Sequence, residues 1–219
     1  MKQFKVFFSW QSDLPGNKTK QFIDECIKES IEKCNDDVKG IEILADRDTQ
    51  GKTGSPNIMQ TIFEKIDECD LFIADVSIVN SHGISQEDYT EDDAIVLDGG
   101  TAAGRPKDSK KTQFRYTPNP NVLIELGYAV KCLGWEKVLC FLNTDFGKID
   151  QLPFDLNHQR VTPYSLYDTN NLGHKKDYRE KVKQQLRGII IDTILELIKQ
   201  GENTRKRNSL FRCFQHKSK

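Results

Sequence analysis

Glu125 is the residue of this chain whose surroundings most demand a chemical explanation. It sits in Asn119-Pro120-Asn121-Val122-Leu123-Ile124-Glu125-Leu126-Gly127-Tyr128-Ala129-Val130, and from Val122 to Leu133 it is the one carboxylate in a nearly unbroken apolar run. An ionised carboxylate in such company must gain hydrogen bonds or a cation, or shift its pKa and give up its charge. A catalytic or ligand-holding acid on the floor of a cleft meets that demand, and an internal ion pair is the plainer alternative. A capping role fits less well, because a capping box places its acid about three residues past the cap. Glu125 lies six past Asn119.

Other groups with chemical potential follow short apolar runs. Ser9 and Trp10 come after Phe4-Lys5-Val6-Phe7-Phe8, Asp46-Arg47-Asp48 after Ile41-Glu42-Ile43-Leu44-Ala45, and Asp75 and Ser77 close Leu71-Phe72-Ile73-Ala74-Asp75-Val76-Ser77. Trp10 could stack on a flat ring or simply pack in the core. Arg47 could grip a pyrophosphate in bidentate fashion, or pair locally with Asp46 or Asp48. Ser9 could bond a ribose or cap a turn, and Asp75 could contact ribose or cap the next segment. His82, His158, His174 and His216 lie in polar surroundings, and none reads as a general base. No spacing of metal ligands is present. Asp98-Gly99-Gly100-Thr101 lacks the flanking strand and helix that would make it a phosphate loop.

These groups need a scaffold, and the hydrophobic periodicity supplies one. Strands are expected near Phe4–Phe8, Ile41–Ala45, Asp70–Ser77, Lys137–Asn143 and Arg160–Ser165, the last favoured as an edge by Pro163. Helical spacing appears in Phe22, Ile23, Cys26, Ile27, Ile31 and Cys34, in Ile58, Ile62 and Ile66, and over 175–199. Asn119 as N-cap with Pro120 at the first helical position starts the Glu125 helix, which is expected to be buried on every face. Alternating strands and helices give an α/β fold: a three-layer, flavodoxin-like open parallel sheet of five strands, helices on both faces, and a long C-terminal helix. Ligands of such sheets bind beyond the carboxyl ends of the strands, which gathers Ser9, Trp10, Arg47, Asp75, Ser77 and the start of the Glu125 helix on one rim.

Residues 1–200 form the expected domain. Within it 80–117 breaks the pattern with acidic and basic blocks and reads as a polar insertion or flap, and 201–219 is a basic tail. Lys and Arg number 32 against 33 Asp and Glu, a balance that offers no electrostatic case for nucleic acid or an anionic membrane. Six scattered cysteines without CxxC pairs read as reduced core residues. No leader-like start and no stretch approaching the roughly 18 apolar residues of a membrane span is present, so a cytoplasmic protein is expected.

The order of four short motifs resembles the Toll/interleukin-1 receptor (TIR) family, in particular the bacterial TIR-like proteins of anti-phage defence. The motifs are Ser9-Trp10-Gln11-Ser12 after the first strand, Asp46-Arg47-Asp48 with Gly51 and Pro56, Ala74-Asp75-Val76-Ser77, and Asn119-Pro120-Asn121 through Ala129. The likeness covers roughly residues 1 to 165, and Glu-Leu-Gly-Tyr-Ala also resembles the nucleoside 2-deoxyribosyltransferases. The resemblance implies a NAD hydrolase that breaks the nicotinamide–ribose bond, with Glu125 as the catalytic carboxylate and Ser9, Trp10, Arg47, Asp75, Ser77 and Asn121 holding substrate. NAD is then a substrate and no separate cofactor or metal is implied. A homo-oligomer formed on activation is implied as well, triggered by a separate sensor protein or a nucleotide second messenger. A nucleotide-binding sensor or adaptor without chemistry, or a deoxyribosyltransferase-like enzyme, are the alternatives.

Overall fold

The computed structural model describes residues 2–46, 58–84, 113–167 and 175–216, with the backbone alone for 81–84, 113–115, 175 and 202–216. Arg47, and with it the loop that follows Asp46, lies outside the described residues.

The first strand, β1 (Lys2–Ser9), is inserted between two parallel neighbours, β2 (Ile41–Asp46) and β3 (Leu71–Asp75). β3 continues to β6 (Val138–Asn143) and β6, by way of the short α4 (Phe154–Asn157), to β7 (Val161–Tyr164), all parallel. The resulting order, β2-β1-β3-β6-β7, is that of a flavodoxin-like sheet whose direction of winding reverses between β1 and β3. The expected five-stranded sheet is therefore present, with Pro163 on the edge strand β7 where its missing N–H costs no ladder bond.

Strand period divides the core in two. Phe4, Val6 and Phe8 face α1 (Lys20–Asp37) and α5 (Lys175–His216), while Phe7 and Phe72 face α2 (Ile58–Glu68) and α3 (Pro120–Leu133). On α1 the buried residues Phe22, Ile23, Cys26, Ile27, Ile31 and Cys34 are the ones read from helical spacing. α5 buries Val182, Leu186, Ile190, Ile194 and Ile198, one every fourth residue. A charge ladder reinforces this seam: Glu29 meets Lys183 at 2.9 Å and Arg187 at 3.0 Å, and Glu25 meets Arg179 at 3.4 Å. Because α5 runs alongside α1, its far end projects past the amino ends of the strands, where Gly201 approaches Lys2.

Three expectations need correction. α3 is buried on one face only, through Val122, Leu126 and Ala129, and Ile124 stands 51% exposed, because a depression between it and Ile58, Met59 and Phe63 of α2 is left unfilled. The ends of the polar insertion are not irregular: β4 (Ile78–Ile84) and β5 (Gln113–Pro118) pair as an antiparallel ribbon, with a register shift between Ile78 and Asn80. The remainder of the insertion, 85–112, lies outside the described residues. Finally, α5 does not end near residue 199 but continues to His216, through most of the expected tail.

Cys26, Cys34, Cys69 and Cys140 are buried free thiols, and burial pushes Cys26, Cys69 and Cys140 up to about 12. They are unreactive core residues at neutral pH. Among the described residues no helix is long and apolar enough to cross a membrane.

Candidate active site

The site is built where the sheet's winding reverses. β1 ends in Ser9 beside the end of β3 at Asp75, and the carboxyl end of β1 with the first turns of α2 and α3 lines one crevice. Asn119 fixes the start of α3: its side-chain oxygen accepts from the Asn121 and Val122 amides, at 2.8 and 3.4 Å. Its amide in turn donates to Asp13 at 2.7 Å, which ties the helix start to the loop after β1. Pro120 follows at the position where no N–H is missed.

This placement aims Glu125, on the second turn of α3, at the end of β1. Ser9 is almost fully buried and its Oγ donates to Glu125 Oε2 at 2.6 Å. Among the described residues no lysine or arginine pairs with Glu125; burial raises its pKa above the ordinary value and the Ser9 bond holds it partly down. Among the described residues the internal ion pair weighed from sequence is thus not what holds this carboxylate. Glu125 is half-buried and lines two adjoining depressions, of about 280 and about 300 Å3, which share Ile58, Ile62, Asn121 and Glu125.

The first depression also takes in Ser9, Trp10 and Gln11. Trp10 is half-buried, and the Lys20 ammonium lies 2.9 Å from its ring centroid, so one face of the indole is already covered by a cation. Asn121, exposed on the first turn of α3, lies on the boundary between the depressions. The structure therefore brings Ser9, Trp10, Asn121 and Glu125 to one cleft.

Asp75 and Ser77 are placed behind that cleft rather than in it. Both are fully buried and line neither depression. Asp75 accepts from the Ser77 amide at 3.1 Å, from the Ser77 hydroxyl, and from Gln11 Nε2 at 3.1 Å. Burial pushes its pKa up, and those same donors oppose the push. Ser77 Oγ accepts in turn from the Asn143 amide at 2.9 Å, so the pair stitches β3 to β6. Gln11 was not singled out in the sequence, yet it is the link: its Oε1 accepts from Leu14 N at 2.9 Å while its Nε2 reaches Asp75. A glutamine beside Trp10 in a polar loop carries no sign of being 98% enclosed, and only the fold shows it as a staple for the loop that carries Trp10.

The cleft offers one carboxylate, the amides of Gln11, Asn119 and Asn121, the hydroxyls of Ser9 and Ser12, an indole and aliphatic walls. Among the described residues no cluster of His, Cys, Asp and Glu is arranged to hold a metal ion. Such a set can orient a sugar and stabilise a developing positive charge beside the carboxylate.

No protein-family profile and no curated protein sequence matches the chain. Among solved structures, a CMP N-glycosidase of Clostridium botulinum matches 82% of this chain and 98% of its own at 17% identity and a TM-score of 0.34. FerB, a flavoenzyme NAD(P)H:(acceptor) oxidoreductase from Paracoccus denitrificans, matches 91% and 98% at 10% identity and a TM-score of 0.38. A flavo-di-iron protein of Thermotoga maritima matches 84% of this chain and 35% of its own at 13% identity and a TM-score of 0.32. At such identities and TM-scores these likenesses carry no inference about activity.

Proposed function

We propose that this protein hydrolyses the N-glycosidic bond between nicotinamide and ribose in NAD, with Glu125 as the catalytic carboxylate. The observation that carries the reading is that Glu125 is the one titratable group among the described residues lining the two depressions. Most glycosidic bonds need a second carboxyl to protonate the leaving group. A pyridinium riboside does not, because the bonding pair returns to a nitrogen that is already positively charged.

In the proposed reaction the C1′–N bond breaks, nicotinamide leaves neutral, and positive charge spreads over C1′ and the ring oxygen. Glu125 lies against that charge, while Ser9 holds its Oε2 and fixes the rotamer. Water adds to C1′ and releases a proton, giving ADP-ribose. The aliphatic and indole walls keep bulk water from weakening the attraction.

The motif order that resembles TIR-like defence proteins supports NAD as the substrate, and adds an anti-phage effector switched on by self-assembly, with a sensor protein or nucleotide messenger as trigger. Chromatography of concentrated protein incubated separately with NAD, with nucleoside monophosphates and with pairs of deoxynucleosides tests the choice. Release of nicotinamide from NAD is expected. Base exchange between deoxynucleosides would instead make the protein a transferase, and binding of NAD without any product would make it a sensor.

A further inference from the structure

We infer that the trough beside Glu125, walled by Ile58, Met59, Ile62, Phe63 and Ile124, is a subsite for the distal aromatic base of a dinucleotide. This deepens the proposed glycosidase reading and rests on it for the placement of the ribose being cleaved. Ile58, Met59 and Ile124 are 62%, 55% and 51% exposed, three large aliphatic side chains left in water around one depression of about 300 Å3. Exposed apolar side chains gathered around one depression suit a ligand or partner surface.

The patch opens onto the carboxylate instead of standing apart from it, since Glu125 and Asn121 belong to both depressions. An occupant that uses both must be narrow and must present sugar at one end and an apolar plane at the other. A dinucleotide has that layout. Its cleavable ribosyl half takes the depression with Ser9 and Trp10, and its second base lies between the aliphatic side chains of α2 and α3. Phe63 makes a firm wall for it, because its ring is stacked on Tyr128 with centroids 4.1 Å apart. Apart from Glu125 the described residues of the trough carry no charge, which suits an uncharged base better than a phosphate. The pyrophosphate falls at the shared boundary, beside Asn121 on the first turn of α3, where the helix dipole favours an anion.

The test is titration calorimetry of ADP-ribose and of ribose 5-phosphate on the full-length protein and on Met59→Gln/Ile124→Gln, two exposed positions where glutamine keeps the helix and adds no charge. Wild type is expected to bind ADP-ribose at least about tenfold more tightly than ribose 5-phosphate, and the double substitution to remove about that factor for ADP-ribose alone. Equal affinities in wild type, or a double substitution that changes both ligands or neither, overturns the subsite. So does a change of sedimentation in the variant with ADP-ribose binding intact, which would assign the patch to a second copy of the chain. If NAD and nicotinamide mononucleotide both stay uncleaved while ADP-ribose follows the expected pattern, the glycosidase reading fails and the subsite stands.

Discussion

Ser9 Oγ lies 2.6 Å from Glu125 Oε2, joining the last residue of β1 to the second turn of α3 across 116 positions of sequence. This hydrogen bond is the one described interaction that favours the charged form of Glu125, against burial that disfavours it. Ser9→Ala removes it. The Glu125 pKa should then rise further, and the acidic limb of the pH–rate profile should move upward from a wild-type position already above the ordinary carboxylate value of 4.5. An unmoved limb would mean that Ser9 does not tune the acid.

Glu125 also makes a statement about stability. Its pKa is raised on folding, so the folded state binds the proton more tightly than the unfolded chain, and the favourable contribution is complete below the unfolded value of about 4.5. It is lost as pH rises through the folded value, and above that the buried charge is a cost. Glu125→Gln should therefore melt a few degrees higher than wild type at pH 7, with the gap closing below pH 4. Thermal unfolding at the two pH values measures this.

Asp75→Ala should destabilise the protein by about 2–4 kcal/mol, because the Ser77 amide, the Ser77 hydroxyl and the Gln11 amide lose their acceptor inside the fold. Urea unfolding gives the number. Were Asp75 a substrate contact reached from the cleft, KM would change with stability intact.

α5 should be indispensable. Leu186 is fully buried against α1 and the sheet, and Leu186→Ala should cost about 2–5 kcal/mol. Glu29→Ala should cost about 1 kcal/mol and be partly masked by salt, since Lys183 and Arg187 lose a partly exposed partner. Equal stability of the Leu186 variant in urea would remove α5 from the core.

Much of this was legible in the sequence. The apolar runs that become β1, β3 and β6 carry their burial on both faces, and Asn119-Pro120 announces α3 because cap chemistry is local. What escaped depends on neighbours distant in the chain. The apolar run around Glu125 looks alike on every side, and only the packing of α2 against α3 decides that Leu126 is covered while Ile124 is not. Asp75 and Ser77 have the polarity of strand-end ligands, yet the pairing of β3 with β6 sends them into the interior. The β4 ribbon was hidden because its partner lies beyond a long charged segment. The basic, polar composition from residue 201 onward reads as a tail, but charged residues suit a solvated helix and a single interior glycine costs only about 1 kcal/mol, so α5 passes through Gly201.

The most direct test of the account is nicotinamide release from NAD by concentrated wild-type protein and by Glu125→Gln, followed by chromatography. Wild type should release nicotinamide, and the variant, folded and at least as stable at pH 7, should be slower by on the order of a thousandfold. Release by Glu125→Gln at the wild-type rate would contradict the assignment of Glu125 as the catalytic carboxylate.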